Sequence, residues 1–129
     1  MEYKRSKHHV FLLNYHIIFC PKRRRAVLVG KIKERLVQIV QEKMNLMQVG
    51  VIAFEVMPDH VHIFISSDPI TPVHKIIKAI KGVSSRILRK EFPILLRIPS
   101  LWTHSYFVST AGNISNETVK KYIEGQSKK

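Results

Sequence analysis

The chain predicts an α+β fold, a ferredoxin-like β-α-β-β-α-β sheet with an added C-terminal helix that carries a tyrosine. Three observations predict it. Apolar residues switch between strand-like runs and three-to-four-residue helical spacing in that order along the chain. Two strand-like runs are separated only by Pro58-Asp59, a hairpin connection. A further helical segment, with Tyr122 in it, follows the last strand.

The elements follow in order. Val10 to Cys20 is apolar and rich in strand formers, and it stops at Pro21. Lys22 to Arg25 is a run of four bases that no core could hold. From Lys31 to Met47, Ile32, Leu36, Ile39, Val40, Met44 and Met47 recur at helical spacing with charges between them. Val49 to Met57 and His60 to Ser66 form the hairpin. A second amphipathic helix is expected from about Val73 to Phe92, with Lys75, Lys78, Lys81, Arg86, Arg89 and Lys90 outward and Pro93 ending it. Trp102 to Thr110 reads as the fourth strand and Gly112-Asn113 as a turn. The last helix runs from near Ser115 to about Gln126, with Glu117 favourably placed in its first turn.

Length and charge bound the function. At 129 residues the chain is read as one domain, 1–129, with 45% hydrophobic residues to build a core. Lys and Arg number 22 against 9 acids, a formal net charge of +13. Both halves contribute, so the charge belongs to the folded surface, and nucleic acid is the leading partner. No stretch approaches the roughly 20 apolar residues of a membrane span, and the N-terminus lacks a signal-peptide core. A lone cysteine, Cys20, forms no internal disulfide. These features predict a soluble, cytoplasmic protein.

His60-Val61-His62 narrows the chemistry most. Two imidazoles separated by one residue on a strand share a face, roughly 6 to 7 Å apart at Cα, which suits two-point capture of a metal ion. Such a pair is also compatible with two half-buried, hydrogen-bonded histidines. Tyr122 and Gln126 stand four apart on the last helix and share its face, so an amide oxygen could join the ligands while a phenol points at the same ion. Taken singly, each is more often a packing or surface residue. Together with the histidines in so basic a chain, they suggest a phenolic nucleophile acting on a phosphodiester, with the ion as Lewis acid.

Four blocks in order carry a resemblance over nearly the whole chain. They are Asn14-Tyr15-His16-Ile17-Ile18-Phe19 with the bases after it, Met57 to His62, Leu101-Trp102 with Ser105 to Val108, and Tyr122-Ile123-Glu124-Gly125-Gln126. In these the chain resembles the single-tyrosine HUH transposases of bacterial and archaeal insertion sequences, the TnpA type. The resemblance implies a DNA strand transferase that cleaves and rejoins single-stranded transposon ends, forming a 5′-phosphotyrosine and releasing a 3′-OH. Tyr122 is then the nucleophile, and His60, His62 and Gln126 the ligands of Mg²⁺ or Mn²⁺. Two imidazoles and an amide suit Mn²⁺ better. Asp59, Glu55, His16 and His104 are reserve ligands. The family acts as a dimer that recognises hairpins, and one tyrosine per subunit with two cleavages to make agrees with a homodimer. Composite active sites are expected, with Tyr122 lent to the partner subunit. Lys22, Arg24, Arg25, Lys78 and Arg86 are the expected DNA contacts.

The chain departs from the family at Arg23, where many relatives have an aromatic, and at Gly125, where Asn is common. A helix ending at Gly125 would take Gln126 off the Tyr122 face. Two other functions use the same residues differently. A nuclease working through activated water needs the histidines but not Tyr122, and a non-catalytic single-strand-binding module needs neither.

Overall fold

A computed structural model describes residues 12–110 and 115–126. Its elements are β1 (Leu13–Phe19), a 3-10 turn (Lys22–Arg24), α1 (Gly30–Leu46), β2 (Gly50–Met57) and β3 (His60–Ser67). Then come α2 (Val73–Glu91), a second 3-10 turn (Pro93–Arg97), β4 (Phe107–Ser109) and α3 (Asn116–Glu124). The strands form one sheet in the order β2-β3-β1-β4, every neighbouring pair antiparallel. That is the split β-α-β arrangement expected of the sequence, with its added C-terminal helix.

Strand alternation divides the sheet into two faces. Along β3, Val61, Ile63 and Ile65 are buried in the core, and opposite them on β1 stand Phe19, Ile17 and Tyr15. α1 contributes Leu36, Ile39, Val40 and Met44 to this core, and α2 contributes Ile76, Ile77, Ile80 and Leu88. Both long helices therefore cover one face. The intervening residues of the central strands, His16 and Ile18 on β1 and His60, His62 and Phe64 on β3, belong to the other face.

The segment after α2 differs from expectation. Phe92 leaves the helix at φ −125°, ψ 86°, because a residue preceding proline avoids the helical region, and Pro93 opens a 3-10 turn instead of a plain stop. Strand pairing is confined to Phe107–Ser109, whereas a strand from Trp102 was expected. Two anchors take residues 102–105 off the ladder. Trp102 makes only an isolated bridge to Pro21, its ring edge-on to Phe19 at 4.8 Å between centroids. The carbonyls of Thr103 and Ser105 accept hydrogen bonds from Lys81 Nζ on α2, at 2.7 and 3.0 Å. The expected turn at Gly112-Asn113, and the first residues of the expected first strand, lie outside the described residues.

Buried Ser84 joins α2 to this segment. Its Oγ donates to the Ile80 carbonyl at 2.6 Å and accepts from Trp102 Nε1 at 3.0 Å. Ser84→Ala leaves the indole N–H buried without that partner and should destabilise the protein by about 1–3 kcal/mol, read from the urea midpoint. Adding Trp102→Phe should cost less than the sum of the two single changes, because the pair shares one bond.

Candidate active site on the open face of the sheet

The histidines are placed by β3 and tied on both sides. His60 Nδ1 lies 3.0 Å from Asp59 Oδ1, the carboxylate of the hairpin turn, which leaves Nε2 to face other partners. His62 Nε2 lies 3.1 Å from Nδ1 of His16 on the adjacent strand, and the His16 ring stacks on Phe64 at 4.0 Å between centroids. Burial, with the His16 ring as a second cause, holds the His62 imidazole below its ordinary value, so it favours the neutral, ligand-competent form. Glu55, opposite His62 in the β2–β3 ladder, works against this shift.

Tyr122 and Gln126 meet on one hydroxyl. Ser105 Oγ donates to Gln126 Oε1 at 2.8 Å and lies 3.3 Å from Tyr122 Oη, while Gln126 Nε2 donates to the Tyr122 carbonyl at 3.2 Å. The helix does end before Gly125. Yet Gly125 keeps right-handed helical angles, φ −73° and ψ −9°, so the turn continues and Gln126 stays on the Tyr122 face. The Phe107 and Tyr122 rings lie 5.9 Å apart, which seats α3 beside β4. Burial raises the Tyr122 phenol above its ordinary value.

Arg24 links the two halves of the site. Its guanidinium donates from Nη1 to the Ile123 carbonyl at 2.9 Å, and Nε sits 3.3 Å from Asp59 Oδ2. One carboxylate thus touches both His60 and the arginine that holds the end of α3. Reaching there requires left-handed backbone at two successive non-glycine residues, Arg23 at φ 60° and Arg24 at φ 50°, at a cost of about 1–3 kcal/mol each. The turn is pinned by Lys22 N–H donating to Leu101 at 2.7 Å and Arg24 N–H donating to Pro21 at 2.8 Å. The sequence placed Arg24 only among the DNA contacts, and marked Ser105 only as part of a family-like block, with no role of its own. No spacing rule joins residue 24 to 123 or 105 to 122.

The other expected DNA contacts are more dispersed. Lys22 flanks the site in the same turn, and Arg25 is exposed just beyond it. Lys78 and Arg86 are exposed on α2, in the layer covering the opposite face. Lys78 and His104 line an open groove of about 360 Å³ with Lys81, Trp102 and Tyr106, and among the described residues no acid lines it.

The donor set fits a divalent cation. Among the described residues no cluster of three or more His, Cys, Asp or Glu could hold a metal, so a site at His60 and His62 would need a donor of another kind. Gln126 Oε1, with a lone pair beyond the one Ser105 uses, is of that kind. His62 also makes a prediction about acid stability. Its lowered folded value means the unfolded chain binds the proton first as pH falls below 6.5, so stability falls with pH in the window beneath 6.5. In urea titrations between pH 7 and 5, His62→Gln should lose less stability than the parent. Equal losses would show that His62 is not a source of the acid sensitivity.

Comparisons with known proteins identify the family and the fold. The family model described as "Transposase IS200 like" matches residues 9–126. The ISDra2 transposase TnpA of Deinococcus radiodurans is 36% identical over 132 residues, covering 100% of this chain and 94% of that protein. The transposase of insertion sequence element IS200 from Salmonella typhimurium is 29% identical over 115 residues, covering 87% of this chain and 75% of its own length. The crystal structure of a Deinococcus radiodurans R1 protein assigned as a transposase superposes with a TM-score of 0.88 at 33% identity, covering 96% of this chain and 98% of that one. A REP-associated tyrosine transposase bound to a REP hairpin shares the fold, with a TM-score of 0.57 at 12% identity over 93% of this chain and 69% of that one. The chain belongs to the family of IS200-like transposases.

Proposed function

We propose that this transposase cleaves and rejoins single-stranded DNA at the ends of an insertion sequence through a covalent link to Tyr122. The observation that carries this reading is the meeting of Tyr122 and Gln126 on Ser105, at the end of a helix that Arg24 ties to the Asp59-His60 turn. In cleavage the Tyr122 oxygen bonds to phosphorus as the phosphorus–O3′ bond breaks. The phenolic proton leaves, and the 3′ oxygen ends as a hydroxyl. The 5′-phosphotyrosine keeps the phosphodiester energy, so attack by a 3′-OH rejoins the strand and frees the phenol. His60, His62 and Gln126 would hold Mg²⁺ or Mn²⁺, which supplies Lewis-acid charge at the phosphate when bound.

Bases lie in the turn beside the site and, more remotely, on α2. We assign phosphate contacts to Lys22, Arg25, Lys78 and Arg86, with Arg24 adding charge at the same edge while tied to Asp59. The hairpin in the REP-associated relative suggests that this chain also recognises hairpins near the ends of its element. Action on an insertion sequence in the cell's own DNA would place the protein in the cytoplasm; among the described residues no helix is long and apolar enough to cross a membrane.

We further propose a homodimer with composite sites. The contacts that tie α3 to its own chain among the described residues can be reproduced by the α3 of a second subunit, since exchange of an identical element preserves its partners. Mixing Tyr122→Phe with His60→Ala subunits tests this. A shared arrangement leaves the heterodimer one intact site and measurable cleavage, and inactive verified heterodimers refute it.

The covalent mechanism is tested separately. Tyr122→Phe should abolish cleavage of a labelled single-stranded end while binding stays within a few-fold, because an oxygen is lost but no charge. Cleavage at the parent rate would favour hydrolysis by activated water. Affinity should fall with salt at about −0.7 in log–log slope per phosphate neutralised, and Lys78→Ala with Arg86→Ala should shallow that slope by about one unit or more. A flat salt response would remove DNA phosphates as the reason for the charge.

A further inference from the structure

Ser105 is neither a candidate nucleophile nor a candidate ligand, yet both C-terminal functional groups converge on it. Hydrogen-bond bookkeeping fixes the directions. A serine hydroxyl has one hydrogen, and Gln126 Oε1, 2.8 Å away, can only accept, so the hydrogen points there. At 3.3 Å the Tyr122 hydroxyl must then be the donor to Ser105 Oγ. A phenol donating in that one direction has its oxygen lone pairs turned away from Ser105. The Gln126 amide is oriented by its Nε2 donating to the Tyr122 carbonyl at 3.2 Å, which turns Oε1 to Ser105.

The backbone that presents Ser105 is held at unusual cost. Lys81 Nζ donates to the carbonyls of Thr103 and Ser105 at 2.7 and 3.0 Å, and Thr103 Oγ1 donates to the Ser105 carbonyl at 3.2 Å. Lys81 lies 5.8 Å from the Phe19 ring centre and 5.5 Å from that of Tyr106. No carboxylate among the described residues pairs with it, and burial brings its ammonium down to about 8. Neutral donors could hold a plain surface loop without burying a cation. Rigid support of this kind suits a loop whose side chain must sit within a fraction of an ångström.

We infer that Ser105 is a positioning residue, which aims the Tyr122 hydroxyl and carries the Gln126 carboxamide in register with it, and that Lys81 fixes the loop presenting it. The inference rests on Tyr122 being the nucleophile. It explains how α3 keeps two groups poised together although the helix itself ends at Glu124.

The test compares Ser105→Ala, Ser105→Thr and Tyr122→Phe in covalent-adduct formation on a labelled single-stranded end with Mn²⁺. Ser105→Ala should lower kcat about tenfold or more while KM and the DNA Kd stay within about twofold, because positioning is lost and phosphate contacts are not. Ser105→Thr, which keeps the hydroxyl, should recover the rate to within about threefold. If Ser105→Ala does not fold, Ser105→Cys, similar in size but a weak hydrogen-bonding partner, is read the same way. Lys81→Met should reproduce the kcat loss without a KM change. Parent-like kcat in Ser105→Ala, a change confined to KM, or a threonine variant as slow as alanine would overturn the inference. An adduct formed at the parent rate by Tyr122→Phe would overturn the covalent reading itself, whereas an inactive Tyr122→Phe beside a fully active Ser105→Ala overturns only the role of Ser105.

Discussion

The alternation of side chains along β3 is the constraint on which the site depends. Val61, Ile63 and Ile65 must face α1 and α2, and that requirement alone turns His60 and His62 to the other face. A register slip of one residue would bury two imidazoles and expose three aliphatic side chains. At about 1.5–3 kcal/mol for each aliphatic side chain, the slip is far more expensive than any single polar contact at the site could offset. Core packing thus supplies the geometry of the candidate metal centre, and the pairing with β1 brings His16 beside His62 at no added cost.

The helix bearing the tyrosine is held differently. Among the described residues, its contacts to the rest of the protein include polar ones from Arg24 and Ser105 and a loose ring contact with Phe107. Polar contacts at a partly exposed surface contribute only about 0.5–1.5 kcal/mol each, so α3 is specified in direction more than it is anchored in depth. Such attachment suits the role proposed for Tyr122, which would have to meet DNA, form a covalent bond and be freed again. The strained left-handed residues Arg23 and Arg24 fit the same pattern, because backbone cost concentrates where a side chain has to be aimed.

Much of this was legible in the sequence for a physical reason. Long periodic segments such as α1, α2 and the β2–β3 hairpin announce themselves because burial acts on one face of each. His60 with His62, and Tyr122 with Gln126, were readable as pairs because both spacings are local, one along β3 and one across the end of α3 and the turn that continues it. Contacts that cross between elements left no such trace. His16 beside His62 needs the strand register, and Arg24 on Ile123 needs two residues in a conformation that arginine seldom adopts. The fourth strand was overestimated because residues 102–106 have strand-like composition, while Lys81, a residue of α2 read only as part of a basic face, claims two of their carbonyls. Gly125 is the converse case. It ends the helix as a glycine can, but its angles stay helical and the neighbouring glutamine keeps its place.

The central claim is that Tyr122 attacks DNA, and locating the covalent bond tests it most directly. The protein would be incubated with a single-stranded element end and Mn²⁺, denatured, digested with nuclease and protease, and the modified peptide sequenced by mass spectrometry. A nucleotide joined through its 5′-phosphate to the peptide containing Tyr122, with the mass added on that residue, is the predicted result. Efficient cleavage with no peptide modified, or with the nucleotide on another side chain, would contradict the account.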